Sequence, residues 1–331
     1  MTDLADRHAD TDLEFDAYRA ELTGYCYRML GSPFEAEDAV QETHLRAWRN
    51  RHRFDPDRGA WKTWLYAIAT NVCLDMLRGA KRRARAMDMG PASEGGGPDF
   101  GRPLSEDHWV LPVADQQVLS GGEDPAAVVE VRESVRLAFI AALQWLPPRQ
   151  RSILVLRDVL NWSAQEVAQL LDTSPTAVNS ALQRARMTID DRLPEPSTEA
   201  FDPSDDRQRE LLEEYVSAFE SHDIPRLVSL LREDAINSMP PFPWWVRGRD
   251  VIGRLFDTGD GCRGDRLVPT IANGAPAFGQ YKQVDGRHRP FGLVVLGVVD
   301  GQIVESTTFL GVERLFPCFG LPSALGESER T

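Results

Sequence analysis

The chain contains four cysteines, Cys26, Cys73, Cys262 and Cys318, and they are scattered, with no CxxC and no Cys/His cluster. A zinc site needs clustered ligands and a disulfide framework needs a higher density, so no metal is expected and the four are read as core thiols of a reducing compartment. A long apolar run is missing too. No stretch approaches eighteen uninterrupted apolar residues and residues 1–16 are acidic without an apolar centre. Neither a membrane span nor a secretory leader is therefore expected, and the cytoplasm is the expected location. Positive charge is in short supply, with 37 Lys and Arg against 51 Asp and Glu and a net charge of -14. That balance alone would argue against a nucleic-acid partner, but the charge is unevenly spread. Between Glu35 and Arg85 eleven basic residues face seven acidic ones, whereas Asp88 to Glu133 has two against ten and Glu195 onward fourteen against twenty-two. An electrostatic footprint belongs to one face, so the basic block is where phosphate contacts are sought.

What is present is an ordinary globular composition, 42% hydrophobic and 27% charged over 331 residues, enough for two or three domains. From Leu13 to Arg85 apolar residues recur at helical spacing, including Leu22, Tyr25, Met29, Val40, Leu45, Trp48, Leu65 and Val72, with breaks at Gly31-Ser32-Pro33 and Asp55 to Gly59. Residues 88–125 are rich in Gly, Pro and acid, include Gly95-Gly96-Gly97-Pro98, and read as a flexible acidic linker. A second helical block follows over 126–193. Beyond Pro194-Glu195-Pro196 the pattern changes to two amphipathic helices and then β-rich runs at Pro276–Val284, Phe291–Val299 and Ile303–Leu310, with an Asp300-Gly301 hairpin turn between the last two. Helices followed by antiparallel strands indicate an α+β domain.

The most specific motif spans Arg149 to Arg186. Ser163 and Glu166 have capping-box spacing, Asp172-Thr173-Ser174 form a short turn, and Pro175 suits the first turn of a second helix through Val178, Leu182 and Ala185. This is helix-turn-helix spacing, and the alternative is a plain helical hairpin. The second helix presents Thr176, Asn179, Ser180, Gln183 and Arg184, groups able to reach base edges or phosphates in a major groove. Upstream, helix Glu35–Arg49 groups Asp38, Gln41, Glu42 and Leu45 into a mixed surface suited to a partner helix. A turn leads to Trp61, Lys62 and Trp64, then to a helix with Asn71, Asp75 and Arg78 a turn apart and a basic end at Lys81, Arg82, Arg83 and Arg85. Aromatics beside cations suit single-stranded DNA, although the same rings at helical spacing are equally core residues.

The EAEDAVQETHLRAWR helix, the WKTWLYAIATNVCLDMLR segment and the PPRQRSILVLRDV to VNSALQRAR motif, in this order, resemble the two sigma domains of an extracytoplasmic-function sigma factor of bacterial RNA polymerase. The resemblance covers about Leu13 to Leu193. It implies a multidomain fold: a helical region 2 domain over 13–87 and a helix-turn-helix region 4 domain over 126–193, joined by the linker. It also implies partners, core RNA polymerase with its beta and beta-prime subunits and promoter DNA. Asp38, Gln41, Glu42 and Leu45 match the family's clamp-binding helix. Trp61, Lys62, Trp64, Asn71, Asp75, Arg78 and Arg82 lie in the segment that melts and reads the minus-ten element, and Thr176, Asn179, Ser180, Gln183 and Arg184 in the one that meets the minus-thirty-five element. The linker resembles the segment that threads the polymerase channels. Asn179 and Ala181 stand where the family often has basic residues, so fewer phosphate contacts are expected.

The run SMPPFPWWVRGRDVIGRLF resembles a SnoaL-like, NTF2-like cone domain, expected over 204–313 with a tail over 314–331. Trp245, Tyr281, His288 and Phe291 are candidates to line a pocket for an unidentified small ligand, with His288 placed in a turn. Asp234, Asp265 and His222 are its titratable groups, without a paired constellation that demands catalysis. The expected function is a promoter-recognition subunit regulated in cis by this domain, without a cofactor and not itself an enzyme. The alternatives are a helix-turn-helix regulator and a SnoaL-like enzyme with a DNA-binding part.

Overall fold

The computed structural model describes residues 15–57, 60–93, 100–119, 125–193, 198–199, 201–257 and 262–326. The break at Arg58-Gly59, the Gly95 to Pro98 run, linker residues 120–124, the Pro194 to Pro196 boundary and the outermost residues of both ends lie outside them. The chain divides into two compact units, the first made of residues up to Arg83 with Val110–Leu193, the second of Ala84–Trp109 with residues from Pro194 onward.

The first unit is helical. Helices α1 (Arg19–Leu30), α2 (Pro33–Asn50) and α3 (Trp61–Met76) form its first part. Gly31 ends α1 in the left-handed region at φ 75, returning its N–H to Tyr27 O, and Ser32 caps α2 by accepting from the Glu35 N–H with Pro33 in the first turn. The second part contains α4 (Pro125–Val135), α5 (Leu137–Leu143), α6 (Pro148–Leu154), a wider turn Val155–Val159, α7 (Ala164–Leu170) and α8 (Pro175–Arg192). The Ser163/Glu166 capping box is formed in both directions, at 3.2 and 2.7 Å. Ser174 accepts from the Ala177 N–H at 3.2 Å to start α8. The helix-turn-helix read from spacing is therefore present.

These two parts share one apolar core, running from Phe15, Leu22, Tyr25 and Met29 through Leu65 and Tyr66 to Ile140, Leu143, Ile153, Leu156 and Ile189. Tyr66 and Trp162 meet at 5.2 Å. Two arginines are buried at the seam. Arg28 donates to the Ser134 hydroxyl at 2.5 Å and its carbonyl at 3.3 Å. Arg151 donates to Met29 O, to the Gln144 carboxamide oxygen at 2.7 Å and to the carbonyls of Gln144 and Leu146 at 3.3 and 3.2 Å. Burial lowers both guanidinium pKa values to about 10, which leaves them cationic at neutral pH.

The second unit is α+β, as expected. Helices α9 (Asp206–Glu220), α10 (Ile224–Ser229) and α11 (Arg249–Asp257) pack on a six-stranded sheet of order β2-β1-β6-β5-β4-β3, with β1 Leu231–Ser238, β2 Trp245–Arg247, β3 Arg266–Ala272, β4 Ala275–Val284, β5 Arg287–Val299 and β6 Gln302–Leu310. Only the β1–β6 pair is parallel among the described strands. Asp300 and Gly301 both have positive φ, 50 and 72, the left-handed pair a tight hairpin requires. A short helix, α12 (Leu315–Cys318), follows the sheet.

The expected flexible linker is corrected here for its described part. Ala84 N donates to His108 O at 2.8 Å and Leu104 N to Pro241 O at 2.8 Å. Ser93 N donates to Trp245 O at 2.8 Å and the Trp245 indole N–H to Gly90 O at 2.9 Å. Phe100 packs its ring 5.0 Å from Trp244 and 5.6 Å from Phe242. Gly, Pro and acid spoil local periodicity, yet an irregular segment is held once its backbone groups find partners on a folded surface.

Candidate nucleic-acid and polymerase interface

On α2 the core takes Ala36, Ala39, Val40, Thr43 and Ala47. The opposite face carries Asp38 and Gln41, both exposed, with half-exposed Glu42 beside them. Leu45 and Trp48 continue this face, 47% and 50% exposed. They are large, half-exposed apolar side chains at i and i+3 and form one apolar stripe along this face. Trp48 is the residue the sequence reading missed, and its signal is the spacing 38, 41, 45, 48 along one helix face. Glu42 is tied to Arg46 at 2.6 Å, and Arg46 reaches Asp75 of α3 at 3.5 Å. The two faces thus share a charged seam, and the bond to Glu42 raises the Arg46 pKa.

On α3 Asn71 and Asp75 are exposed one turn apart. Arg78 departs from expectation: the helix ends at Met76, so Arg78 lies in the following turn, paired with Asp75 at 3.2 Å. The segment Lys81 to Arg83 is likewise not helical. Trp61 and Trp64 pack in tilted and edge-on contacts with each other and with Phe54 at centroid distances of 4.9 to 5.5 Å, half-buried as a three-ring cluster. Lys62 is held by Glu21 at 2.5 Å. Arg83 is buried against Glu35 at 2.6 Å, and Arg82 lies over the Trp145 ring.

Along α8 the buried face is Val178, Ala181, Leu182, Ala185 and Ile189, while Thr176, Asn179, Ser180, Gln183 and Arg184 all lie exposed on the other side. Ala181 is in the core, so its place offers no phosphate contact with or without a charge. Arg186 makes a two-pronged ion pair with Asp158 at 2.7 and 2.8 Å that braces α8 against the wider turn Val155–Val159.

Family models for sigma-70 region 2 and sigma-70 region 4 match residues 15–83 and 136–189. The ECF RNA polymerase sigma factor SigG of Mycobacterium tuberculosis is 42% identical over 328 residues, 97% of this chain and 86% of that protein. The chain belongs to the extracytoplasmic-function sigma factors. SigJ of the same organism is 31% identical over 251 residues, 73% of this chain and 71% of that protein. The crystal structure of SigJ covers 93% of this chain and 99% of its own at a TM-score of 0.59 and 24% identity, so the fold is shared over both units. For this sigma factor, region 2 corresponds to α1–α3 and region 4 to α5–α8. A lone helix-turn-helix regulator would not carry region 2. Among the described residues no helix is long and apolar enough to cross a membrane.

The four candidate pocket residues are not gathered by the structure around one cavity. Trp245 pairs with Ser238, whose hydroxyl meets Thr307 at 2.9 Å, and its neighbour Val246 is the one in the domain core. Alternation therefore puts Trp245 on the outer face of the sheet, under the linker. Tyr281 lies four strands further along the sheet order on β4, its hydroxyl donating to Pro322 O at 2.7 Å and its ring edge-on to Phe316 at 5.2 Å. His288 sits in β5 rather than a turn, with Nε2 2.9 Å from Gly264 O, and Phe291 is half-buried under the Lys282 ammonium at 5.1 Å. Asp234 is paired with Arg232 on β1 and His222 occupies a turn after α9. Asp265 alone is buried, 1% exposed, with one carboxylate oxygen accepting from the Gln280 amide at 2.7 Å. Burial pushes its pKa up.

Proposed function

We propose that this sigma factor acts in the cytoplasm, docks on core RNA polymerase through the α2 stripe of Asp38, Gln41, Glu42, Leu45 and Trp48, melts the minus-ten element with the Asn71/Asp75 face, and holds the minus-thirty-five duplex with Thr176, Asn179, Ser180, Gln183 and Arg184. The observation that carries this reading is the pair of exposed faces, on α2 and α8, each mounted on a buried apolar stripe of its own helix. Charge reversal of Asp38 and Glu42 together lowers core affinity in a pull-down, without loss of helical content. Unchanged core binding refutes the α2 assignment.

The C-terminal unit acts in cis and is not an enzyme. What supports this is its hold on residues 84–109: the segment that the family threads into polymerase is bonded at Gly90, Ser93 and Leu104 to residues of the sheet and its loops. A bound small ligand is not needed for this role. Trp245→Ala removes the indole bond to Gly90, and promoter-dependent transcription at equal core occupancy then departs from wild type. Identical transcription over a range of salt refutes control through this contact.

A further inference from the structure

Trp145 lies in the turn between α5 and α6, in region 4. The guanidinium carbon of Arg82, at the basic end of region 2, is 3.6 Å from its ring centroid, and that of Arg192, in the last turn of α8, is 4.1 Å away. Two planar guanidinium groups this close to one centroid cannot share a face without overlapping, so they sandwich the ring. The neighbours hold the arrangement: Arg83 is anchored to Glu35 at 2.6 Å, fixing the backbone next to Arg82, and Asp191 pairs with Arg192 at 3.3 Å. The sandwich spans the two regions, and unlike the Arg28 and Arg151 contacts its two arginines are exposed.

Region 2 and region 4 cannot serve both promoter elements while packed this way. A compact unit of this length measures roughly 40 Å across. Elements about 25 base pairs apart are separated by about 85 Å of duplex at about 3.4 Å per base pair. The packed unit is a closed state. Resting on the sigma reading above, we propose that Trp145, held between Arg82 and Arg192, is a latch on that closed state, and that nucleic-acid phosphates release it by taking the two arginines off the ring. Release requires that phosphate bind the freed arginines more tightly than the stacked ones, and by linkage closure then weakens phosphate binding by the same factor. Losing a cation–π contact of this kind shifts the open-to-closed ratio by about two- to thirtyfold.

The test uses the full chain without polymerase, spin-labelled at Glu37→Cys and Gln165→Cys, two exposed sites of α2 and α7, with Cys262 and Cys318 replaced by Ser. Distances between the labels are read by pulsed electron resonance, and affinity for a 20-base-pair duplex by anisotropy at low salt. Wild type shows one short distance, and the duplex moves it to a longer one. Trp145→Leu has a larger long-distance fraction and binds duplex two- to thirtyfold tighter; Trp145→Phe, which keeps a π face, stays near wild type. Arg82→Gln, at an exposed position outside the apolar core, likewise raises the long-distance fraction and keeps the test decisive if Trp145→Leu folds poorly. The latch is overturned if neither Trp145→Leu nor Arg82→Gln changes the distance or, for Trp145→Leu, the duplex affinity. Duplex that binds wild type without moving the distance overturns release by phosphate. Failure to support transcription with core polymerase would instead sink the sigma reading and leave these distances standing.

Discussion

Replacing Arg151 by Met tests how firmly region 4 is seated on region 2. The guanidinium is 4% exposed and satisfies Met29 O of region 2 together with Gln144 O and Leu146 O of region 4. Methionine fills similar volume and donates nothing. Three main-chain carbonyls left without this donor cost about 1–3 kcal/mol each, roughly 6 in total. Against this stands the expense of burying the cation: a pKa lowered from 12.5 to about 10 corresponds to about 3 kcal/mol returned on its removal. The net loss is about 3 kcal/mol, at the lower end of what breaking a buried charge contact costs. For a unit of this size that is a fall in melting temperature of roughly 6–12 °C. Calorimetry of the full chain, following the helical unit's transition, measures it. Arg151→Lys keeps the charge but loses the planar fork, and falls between Met and wild type. A change below about 1 kcal/mol for Arg151→Met would show that the carbonyls find water or each other, and that the buried fork is not what joins the regions.

Two further outcomes are expected. Arg184→Ala reduces duplex affinity for all sequences and makes the salt slope shallower by about 0.9, whereas Asn179→Ala alters the preferred minus-thirty-five sequence in a selection on randomised promoters; an unchanged motif would show that Asn179 reads no base. Asp265 binds its proton more tightly folded than unfolded because burial disfavours the carboxylate, so the native state carries the extra proton. Stability of the C-terminal unit therefore declines as pH rises from about the ordinary carboxyl value through the raised one, and Asp265→Asn flattens that decline in urea titrations; an unaltered slope would mean the carboxyl is not desolvated.

Local chemistry determined much of this protein from sequence alone. Ser163 with Glu166, Ser174 with Pro175, and Asp300 with Gly301 act within four residues, so the helix-turn-helix and the last hairpin were legible before any contact was known. The exposed set on α8 followed from the same 3.6-residue period that buries Val178, Leu182 and Ala185. The end of α3 at Met76 was hidden because Leu77 and Arg78 are good helix formers and no Gly or Pro interrupts before Gly79. Strand β1, LREDAINS, was missed because its charged residues hide the alternation. Only the tertiary structure decided which side of each element is covered and by what. Strand alternation says that Trp245 and Val246 face opposite ways; it does not say that a linker lies over one of them. Nor does any window of sequence record that Arg151 reaches Met29 or that Arg82 meets Trp145, because those pairs are separated by scores of residues and are selected by shape, charge and burial when the chain closes on itself.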